Sequence, residues 1–132
     1  DSISVIDTAS GKVRYEHDLR PWAPGNEGTP GGVGGTFPFA VVVKGTTAYV
    51  SSDRDREVVA IDISSPTAGK LVKRIKLDGN ALGMALDAAG RLFVLDAIAG
   101  RLVDELPTAT TRASSSTRRL RSGCRKASTS AQ

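Results

Sequence analysis

The sequence predicts an all-β protein built from four-stranded antiparallel sheets. The first observation is a succession of four short runs rich in Val, Ile or Tyr, which are typical of strands: Phe37–Val43, Ala48–Ser51, Glu57–Ile63 and Leu71–Leu77. The second is that Gly, Pro, Ser and charged residues separate these runs, as turns require. Four consecutive strands with short connections predict an antiparallel meander.

The third observation is that the pattern repeats along the chain. A slide of 44 residues sets residues 37–52 over residues 81–96 without a gap, and Ser2–Leu19 matches Val58–Leu77 with a loop three residues longer in the later copy. A four-stranded unit with a period near 44 is typical of a β-propeller, in which each sheet, or blade, packs both faces against its neighbours around an axis. The sequence therefore predicts β-propeller blades.

The predicted organisation follows the chain in order. It assigns residues 1–19 to the outer two strands of a first blade, 20–36 to a Gly/Pro-rich inter-blade loop, 37–77 to a complete four-stranded blade, 78–107 to a partial third blade and 108–132 to a disordered tail. A propeller needs at least about four blades to close, so about two blades predict an incomplete ring. We expect the chain to be a fragment of a longer protein; the alternative is that several copies assemble into a ring.

Residues 95–103 have two interpretations. They align with Ile6–Arg14 as an outer hairpin, whereas the 44-residue slide makes them the end of an inner strand and the loop that follows it. Both interpretations leave the third blade incomplete, and the sequence does not choose between them.

Three segments resemble a known repeat family. The runs SISVIDTASGKV (2–13), FPFAVVVKGTTAYVSS (37–52) and REVVAIDI (56–63) are similar to the YVTN-type β-propeller repeat of the YncE-like group of bacterial secreted and cell-surface proteins. Residues 49–52 stand where the family has its Tyr-Val-Thr-Asn run, with both polar positions changed to Ser. The resemblance covers residues 1 to about 97 and implies an extracytoplasmic protein, whether periplasmic, secreted or on the cell surface. It identifies a blade and not a reaction.

Two loops form the predicted binding surface. In the family, outer-to-inner connections and the loops between second and third strands lie on one face of the disk, so Arg20–Thr36 and Ser52–Arg56 are expected to share a face, with Asp96–Ala99 beside them. Long loops on a rigid scaffold often carry the binding residues of a protein. The candidate ligand-binding residues in these loops are Trp22, Asp53 and Arg54.

Each candidate also has a purely structural interpretation. Trp22 can stack on a ligand, but it can equally cover a blade edge, because tryptophan is usually largely buried. The carboxylates of Asp53 and Asp55 are spaced to hold a cation, but the interleaved arginines favour a solvated surface turn.

No catalytic or metal-binding set is recognisable, and no cofactor is predicted. His17 is the only histidine, so the chain cannot assemble a His-based zinc site or a Ser-His nucleophile. The glycines of residues 31–35 precede a β-run and lack a following Lys-Ser/Thr, which argues against a phosphate loop. Residues 83–94 are similar to the inner strands of calcium-dependent lactonase-type propellers, but Leu82 stands where those proteins have a metal-binding Asn, and Asn80 comes two residues too early.

The C-terminal residues 108–132 differ in composition from the rest. They contain six Ser, five Thr, five Arg, one Lys and no acid, which predicts a disordered tail. The whole chain has a formal net charge of +4 and the tail accounts for +6, so residues 1–107 carry −2. Because the tail lacks interleaved aromatic residues, it predicts no specific nucleic-acid site. Our hypothesis for its origin is translation of a GC-rich gene in a shifted frame.

Two classes of function remain. The first is a non-catalytic propeller segment that acts as a binding scaffold, with a protein, a polymer or a surface as ligand and the remaining blades of a parent chain as neighbours. The alternative is part of an enzyme, either a lactonase-type propeller hydrolase or a propeller fused to a phosphoesterase-type domain. Because no acid–base pair or nucleophile is recognisable, we favour the binding scaffold. The sequence does not decide whether the chain is part of an enzyme. No apolar run is long enough to predict a transmembrane helix.

Overall fold

A computed structural model describes residues 1–26, 28, 32–98 and 101–105. The predicted tail, residues 108–132, lies outside these residues. The described part of the chain contains no helix, and hence none long and apolar enough to cross a membrane. Its elements are the strands β1 (Ser2–Ile6), β2 (Val13–Asp18), β3 (Pro38–Lys44), β4 (Thr47–Ser52), β5 (Glu57–Asp62), β6 (Lys70–Lys76), β7 (Ala81–Leu86), β8 (Leu92–Asp96) and β9 (Arg101–Glu105).

The strands form three antiparallel sheets, which we call the first, central and third sheets. Their strand orders are β1-β2, β3-β4-β5-β6 and β7-β8-β9. The predicted all-β class with antiparallel sheets is therefore confirmed. The four strands predicted between residues 37 and 77 are observed as β3 to β6, and each end lies within one residue of its predicted position.

The third sheet shows the secondary structure of residues 95–103. Leu95 and Asp96 end β8, a turn follows at residues 97–98, and β9 pairs antiparallel with β8. Residues 101–103 therefore lie in a strand and not in a loop, as they do in a hairpin. The end of β8 and the start of β9 lie 44 residues after the end of β4 and the start of β5, so we compare β8 and β9 with β4 and β5.

The pairing of β7 with β8 corrects the ungapped alignment for the first strand of the sheet. Val43 pairs with Ala48 in the central sheet, whereas Leu86 pairs with Leu92 in the third sheet. The second turn is therefore one residue longer, and β7 is equivalent to β3 at an offset of 43 residues instead of 44. A shift of one residue moves a side chain to the other face of a strand. An ungapped alignment would therefore place the side chains of β7 on the wrong faces.

The first sheet repeats the outer half of the central sheet. The β1–β2 pairing has a register irregularity between Val5 and Ile6, and the β5–β6 pairing has one between Ala60 and Ile61. These are the positions that the sequence match of Ile6 with Ile61 sets together. β1 and β2 are therefore equivalent to β5 and β6.

The central sheet buries apolar side chains on both faces. The buried cluster between the central and third sheets consists of Tyr49, Val58, Ala60, Ala81, Leu92 and Val94. The buried cluster between the central and first sheets consists of Leu19, Val50, Val59 and Ile61. Successive residues of β5 alternate between the two clusters, as the pleat of a strand requires. The core of the described residues thus lies between sheets that pack face to face.

Candidate functional site

One end of the sheets gathers the longest connection and two short ones. Residues 19–37 join β2 to β3, residues 53–56 join β4 to β5, and residues 77–80 join β6 to β7. The Thr36 backbone N–H donates to Asp55 Oδ2 over 2.6 Å, Arg56 Nη1 donates to the Asp78 carbonyl over 3.4 Å, and the Ala97 N–H donates to the Asn80 carbonyl over 3.1 Å. We call this end, formed by residues 19–26, 28, 32–37, 53–57, 77–80 and 96–97, the loop face. Thr36 and Asp55 thus join the described parts of Arg20–Thr36 and Ser52–Arg56 at this end; Ala99 lies outside the described residues.

A buried ion pair fixes the long connection to the central sheet. The Glu57 side chain is fully buried, with Oε1 at 2.6 Å from Arg74 Nη1 and Oε2 at 2.8 Å from Lys76 Nζ. The same Oε1 accepts a 2.8 Å hydrogen bond from the Gly35 N–H, and Arg74 Nη2 donates to the Leu19 carbonyl. Glu57 and Arg74 together therefore link both ends of the connection to β5 and β6. Breaking such a pair leaves a charge buried without its partner.

The approach of the two ends explains one of the glycines. Gly35 has a φ of +66°, and a Cβ at this position would lie 2.0 Å from the Leu19 carbonyl oxygen. Any other residue would meet that backbone atom and would also hold an unfavourable left-handed conformation. Gly35 thus lets the connection return to β2 closely enough for Arg74 to reach Leu19.

Asp55 acts as a second anchor on the loop face. Its Oδ2 accepts hydrogen bonds from the Thr36 N–H at 2.6 Å, the Thr36 hydroxyl at 2.5 Å and the Ser52 hydroxyl at 3.0 Å. Burial raises the pKa of Asp55, but the bonds from Thr36 and Ser52 outweigh it, so the pKa lies below its ordinary value. The carboxylate is therefore used for structure, which the sequence interpretation of a solvated turn at residues 53–56 missed.

Trp22 lies in the first turn of the long connection. Its side chain is 42% exposed, and the Arg20 guanidinium stacks over the ring at 4.2 Å from the centroid. Arg20 Nε is held in turn by both carboxylate oxygens of Asp18 at 2.9 Å, and the Asn26 side chain donates to the Asp18 carbonyl at 2.6 Å and the Arg20 carbonyl at 2.7 Å. The exposed indole is therefore carried by a well-bonded turn.

Asp53 and Arg54 lie at the tip of the shorter loop. The Asp53 N–H donates to the Phe37 carbonyl at 3.2 Å, and the Arg54 guanidinium stacks over the Phe37 ring at 4.0 Å. Phe37 itself is 54% exposed and has a positive φ of 54°, which presents its ring at the surface. The structure thus joins Asp53 and Arg54 through Phe37, while Trp22 stacks with Arg20.

The loop face consequently carries two exposed stacks of a guanidinium on an aromatic ring. Such stacks offer planar, cationic surfaces that can contact planar or anionic groups of a ligand. The described residues include no group of three or more His, Cys, Asp or Glu side chains that could hold a metal ion. His17 is 6% exposed, and burial lowers its pKa below the ordinary value.

Several of these residues were not predicted. Arg20 and Phe37 are partners of Trp22 and Arg54, and Glu57 and Arg74 orient the loops beneath them. An Arg two residues before a lone Trp was the only signal for the first stack. No local signal joins Phe37 to Arg54, because 17 positions separate them.

Comparison with known proteins gives no relative for this arrangement. No protein-family model matches the chain, and searches of the curated proteins and of the solved structures found no match.

Proposed function

We propose that the chain is a non-catalytic β-propeller segment of the YVTN type, from an extracytoplasmic protein, and that its loop face binds a protein, a polymer or a surface. The observation that carries the proposal is the pair of exposed aromatic–guanidinium stacks, Trp22 with Arg20 and Phe37 with Arg54, on a scaffold fixed by buried ion pairs. A rigid support reduces the entropy that side chains lose on binding.

The arrangement of the sheets supports the propeller. β7 lies beside β3, and polar bonds join the two sheets, since Ser51 Oγ donates to the Leu82 carbonyl at 2.9 Å and Lys44 Nζ donates to the Gly90 carbonyl at 3.2 Å. Equivalent strands of successive sheets are therefore neighbours, and each face of the central sheet carries a buried apolar cluster. Radial repeats have this relation between successive blades.

The surface chemistry supports contact over catalysis. The carboxylates of Glu57 and Asp55 are occupied by Arg74, Lys76, Thr36 and Ser52, which leaves them unsuited to proton transfer. The rings of Trp22 and Phe37 and the side chain of Arg54 are exposed to a partner. Aromatic rings and arginines are the residue types that contribute most to contact surfaces.

The test begins with a screen of the 132-residue chain against peptidoglycan, purified bacterial polysaccharides and a displayed peptide library. For a ligand found in this way, we expect the triple variant Trp22→Ala, Asp53→Ala, Arg54→Ala to lose at least about tenfold in affinity, which corresponds to about 1.4 kcal/mol. Its melting temperature should stay close to that of the parent.

The matched control carries three exposed substitutions at the opposite end of the sheets, Lys12→Ala, Thr67→Ala and Lys70→Ala. Binding should be unchanged in this control. If a ligand binds the loop-face triple variant normally but binds the control variant weakly, the binding surface lies at the opposite end and the proposal is refuted. A loop-face triple that unfolds would show that Trp22 is a packing residue.

A further inference from the structure

His17, at the end of β2, lies between the central sheet and the first turn of the long connection, residues 19–26. The side chain is buried, and its Nε2 has no hydrogen-bond partner among the described residues. The ring contacts the central sheet through Nδ1, which lies 3.0 Å from the position that a Cβ on Gly69 would take. A buried ring of this kind gains a proton only at the cost of burying its charge.

Asn26 is the residue of the turn that reaches His17. It is 3% exposed, and its Nδ2 donates to the Asp18 carbonyl at 2.6 Å and to the Arg20 carbonyl at 2.7 Å. Both amide hydrogens are therefore used, which leaves Oδ1 for the ring; this buried oxygen has no other partner in the described part of the chain. His17 and Asn26 thus form the buried polar contact at which the turn closes over the ring.

Two charged groups act on His17 from the elements packed around it. Asp18, the next residue of β2, raises the pKa of His17, and Arg74 on β6 lowers it. The other neighbours are uncharged: β1 places Ile3 opposite His17, and the residue before β6 is Gly69. Arg74 also donates to the first carbonyl of the turn. A proton on His17 therefore adds a second buried cation near the arginine that holds the turn in place.

The turn is the weaker of the two covers over His17. On one side, β5 and β6 are joined by a backbone ladder. On the other, the Ala23 N–H donates to the Arg20 carbonyl at 3.1 Å and the Asn26 N–H to the Ala23 carbonyl at 3.0 Å, so these backbone bonds are local. Segments held by few local bonds open before sheets do. Burial lowers the pKa of His17 under the closed turn, whereas an open turn leaves it near the ordinary value of about 6.5, so proton uptake favours the open turn.

We propose that His17 and Asn26 form a proton-sensitive switch: when His17 gains a proton, residues 19–26 open and expose Trp22 further, while the three sheets stay folded. Histidine is the side chain whose charge ordinarily changes in this pH range. Each pH unit below about 6.5 raises the ratio of open to closed turns by at most about tenfold. That the switch regulates binding rests on the proposed function, whereas the movement itself is measured without a ligand.

The experiment uses the 132-residue chain, which contains one histidine and one tryptophan, so that each signal has a single source. Nuclear magnetic resonance of the His17 ring gives its pKa in a titration from about pH 7.5 to 5, which spans the ordinary histidine value. Quenching of Trp22 fluorescence by acrylamide, which is uncharged, measures the exposure of the indole over the same range. We expect the quenching constant to rise with the midpoint of the His17 titration, while the far-ultraviolet circular dichroism stays constant.

Three variants locate the switch. His17→Gln cannot gain a proton, so its quenching constant should stay low across the whole range. Asn26→Ala removes both side-chain bonds to the turn, so its quenching constant should already be high at the upper end of the range. The matched control is Glu16→Gln, which changes an exposed acid next to His17 and should keep the response of the parent chain. If His17→Gln does not fold, the agreement of the two midpoints in the parent chain still tests the proposal.

Three results would overturn the proposal. The first is a constant Trp22 signal while His17 titrates, and the second is a loss of circular dichroism with the same midpoint, since the sheets would then unfold together with the turn. The third is an unchanged pH response in His17→Gln, which would assign the movement to another group. None of these measurements involves a ligand, so a failure of the proposed binding by the loop face would leave them unaffected.

Discussion

Two arginine–carboxylate pairs at opposite ends of the sheets have the same length and different surroundings. On the loop face, Arg74 Nη1 lies 2.6 Å from Glu57 Oε1, and at the other end Arg91 Nε lies 2.6 Å from Asp87 Oδ2. The Glu57 side chain is fully buried, whereas that of Asp87 is 26% exposed. Water screens the exposed pair and cannot replace a lost partner in the buried one. Burial, and not distance, therefore decides what each pair contributes.

The two ends also differ in how far along the chain their partners lie. Glu57 is bonded to Arg74 and Gly35, which are 17 and 22 positions away. At the opposite end, Asp7 bonds to Ser10 and Arg14, at most seven positions away. Glu57 is thus held by tertiary contacts, while the turn at Asp7 is held by local ones. A substitution of Glu57 should therefore have a global effect, and one of Asp7 a local effect.

The largest expected effect follows from removing the charge of Glu57. Glu57→Gln leaves Arg74 and Lys76 without their counter-charge, and breaking a buried pair costs about 3–5 kcal/mol in the free energy of unfolding. We expect a fall of that size in chemical denaturation, and faster proteolysis of residues 20–36. The control, Asp87→Asn, removes a charge from a pair of equal length and should lower the stability much less. Equal losses in the two variants would contradict the role of burial.

An intermediate effect is expected from His17, whose buried ring lies close to both Asn26 and Gly69. Burial lowers the pKa of His17, against smaller upward effects of Asn26 and Asp18. The unfolded chain therefore binds a proton more readily than the folded one. The contribution of neutral His17 to the free energy of unfolding is therefore fully present above a pH of about 6.5. It falls as the pH drops from there towards the folded-state pKa, by at most about 1.4 kcal/mol per pH unit.

The measurement is the denaturation midpoint at several pH values between about 7.5 and 5, spanning the ordinary histidine pKa of about 6.5. The variant His17→Gln should lose most of the slope in this window. Carboxylates such as Asp18 and Asp55, whose pKa values are lowered, respond only at more acidic pH. A parent chain with no slope above pH 5 would refute this prediction.

The smallest effect is expected at Asp7. Hydrogen bonds from Ser10 and Arg14 lower the pKa of Asp7 to about 2. The charged form of Asp7 therefore contributes to the free energy of unfolding above a pH of about 4, and this contribution is lost as the pH falls towards 2. Because the group is exposed, Asp7→Asn should change the melting temperature only slightly at neutral pH and reduce the acid dependence slightly. A large destabilisation would show that the turn has a role beyond its own residues.

The strands and turns of this chain were predictable because their signals are local. Runs of Val, Ile and Tyr between turn residues located β3 to β6 within one residue, and the matching Asp7 and Asp62 both cap turns through bonds to nearby N–H groups. The expectation that Arg20–Thr36 and Ser52–Arg56 share one face came from the family resemblance and not from a local signal. The extra residue between β7 and β8 was not predictable, because a one-residue insertion in a polar turn leaves the apolar pattern almost unchanged.

The candidate site was predictable only in part. The sequence singled out Trp22, Asp53 and Arg54 as exposed polar or aromatic residues of loops. Their supports, Arg20 and Phe37, and the role of Asp55 as an anchor depend on which distant groups meet. Sequence spacing does not predict contacts between side chains that lie in different connections.

By itself, the sequence determined an all-β chain of repeated strands, with the turns and long connections in their places, because these features depend on backbone preferences over a few residues. Only the tertiary structure decided which carboxylates are buried and which apolar side chains stay exposed. Glu57 and Asp87 are both acids close to an arginine, and Val41 and Met84 are equivalent apolar positions. What separates the members of each pair is whether another sheet or connection covers them, and that depends on contacts between segments far apart in the chain.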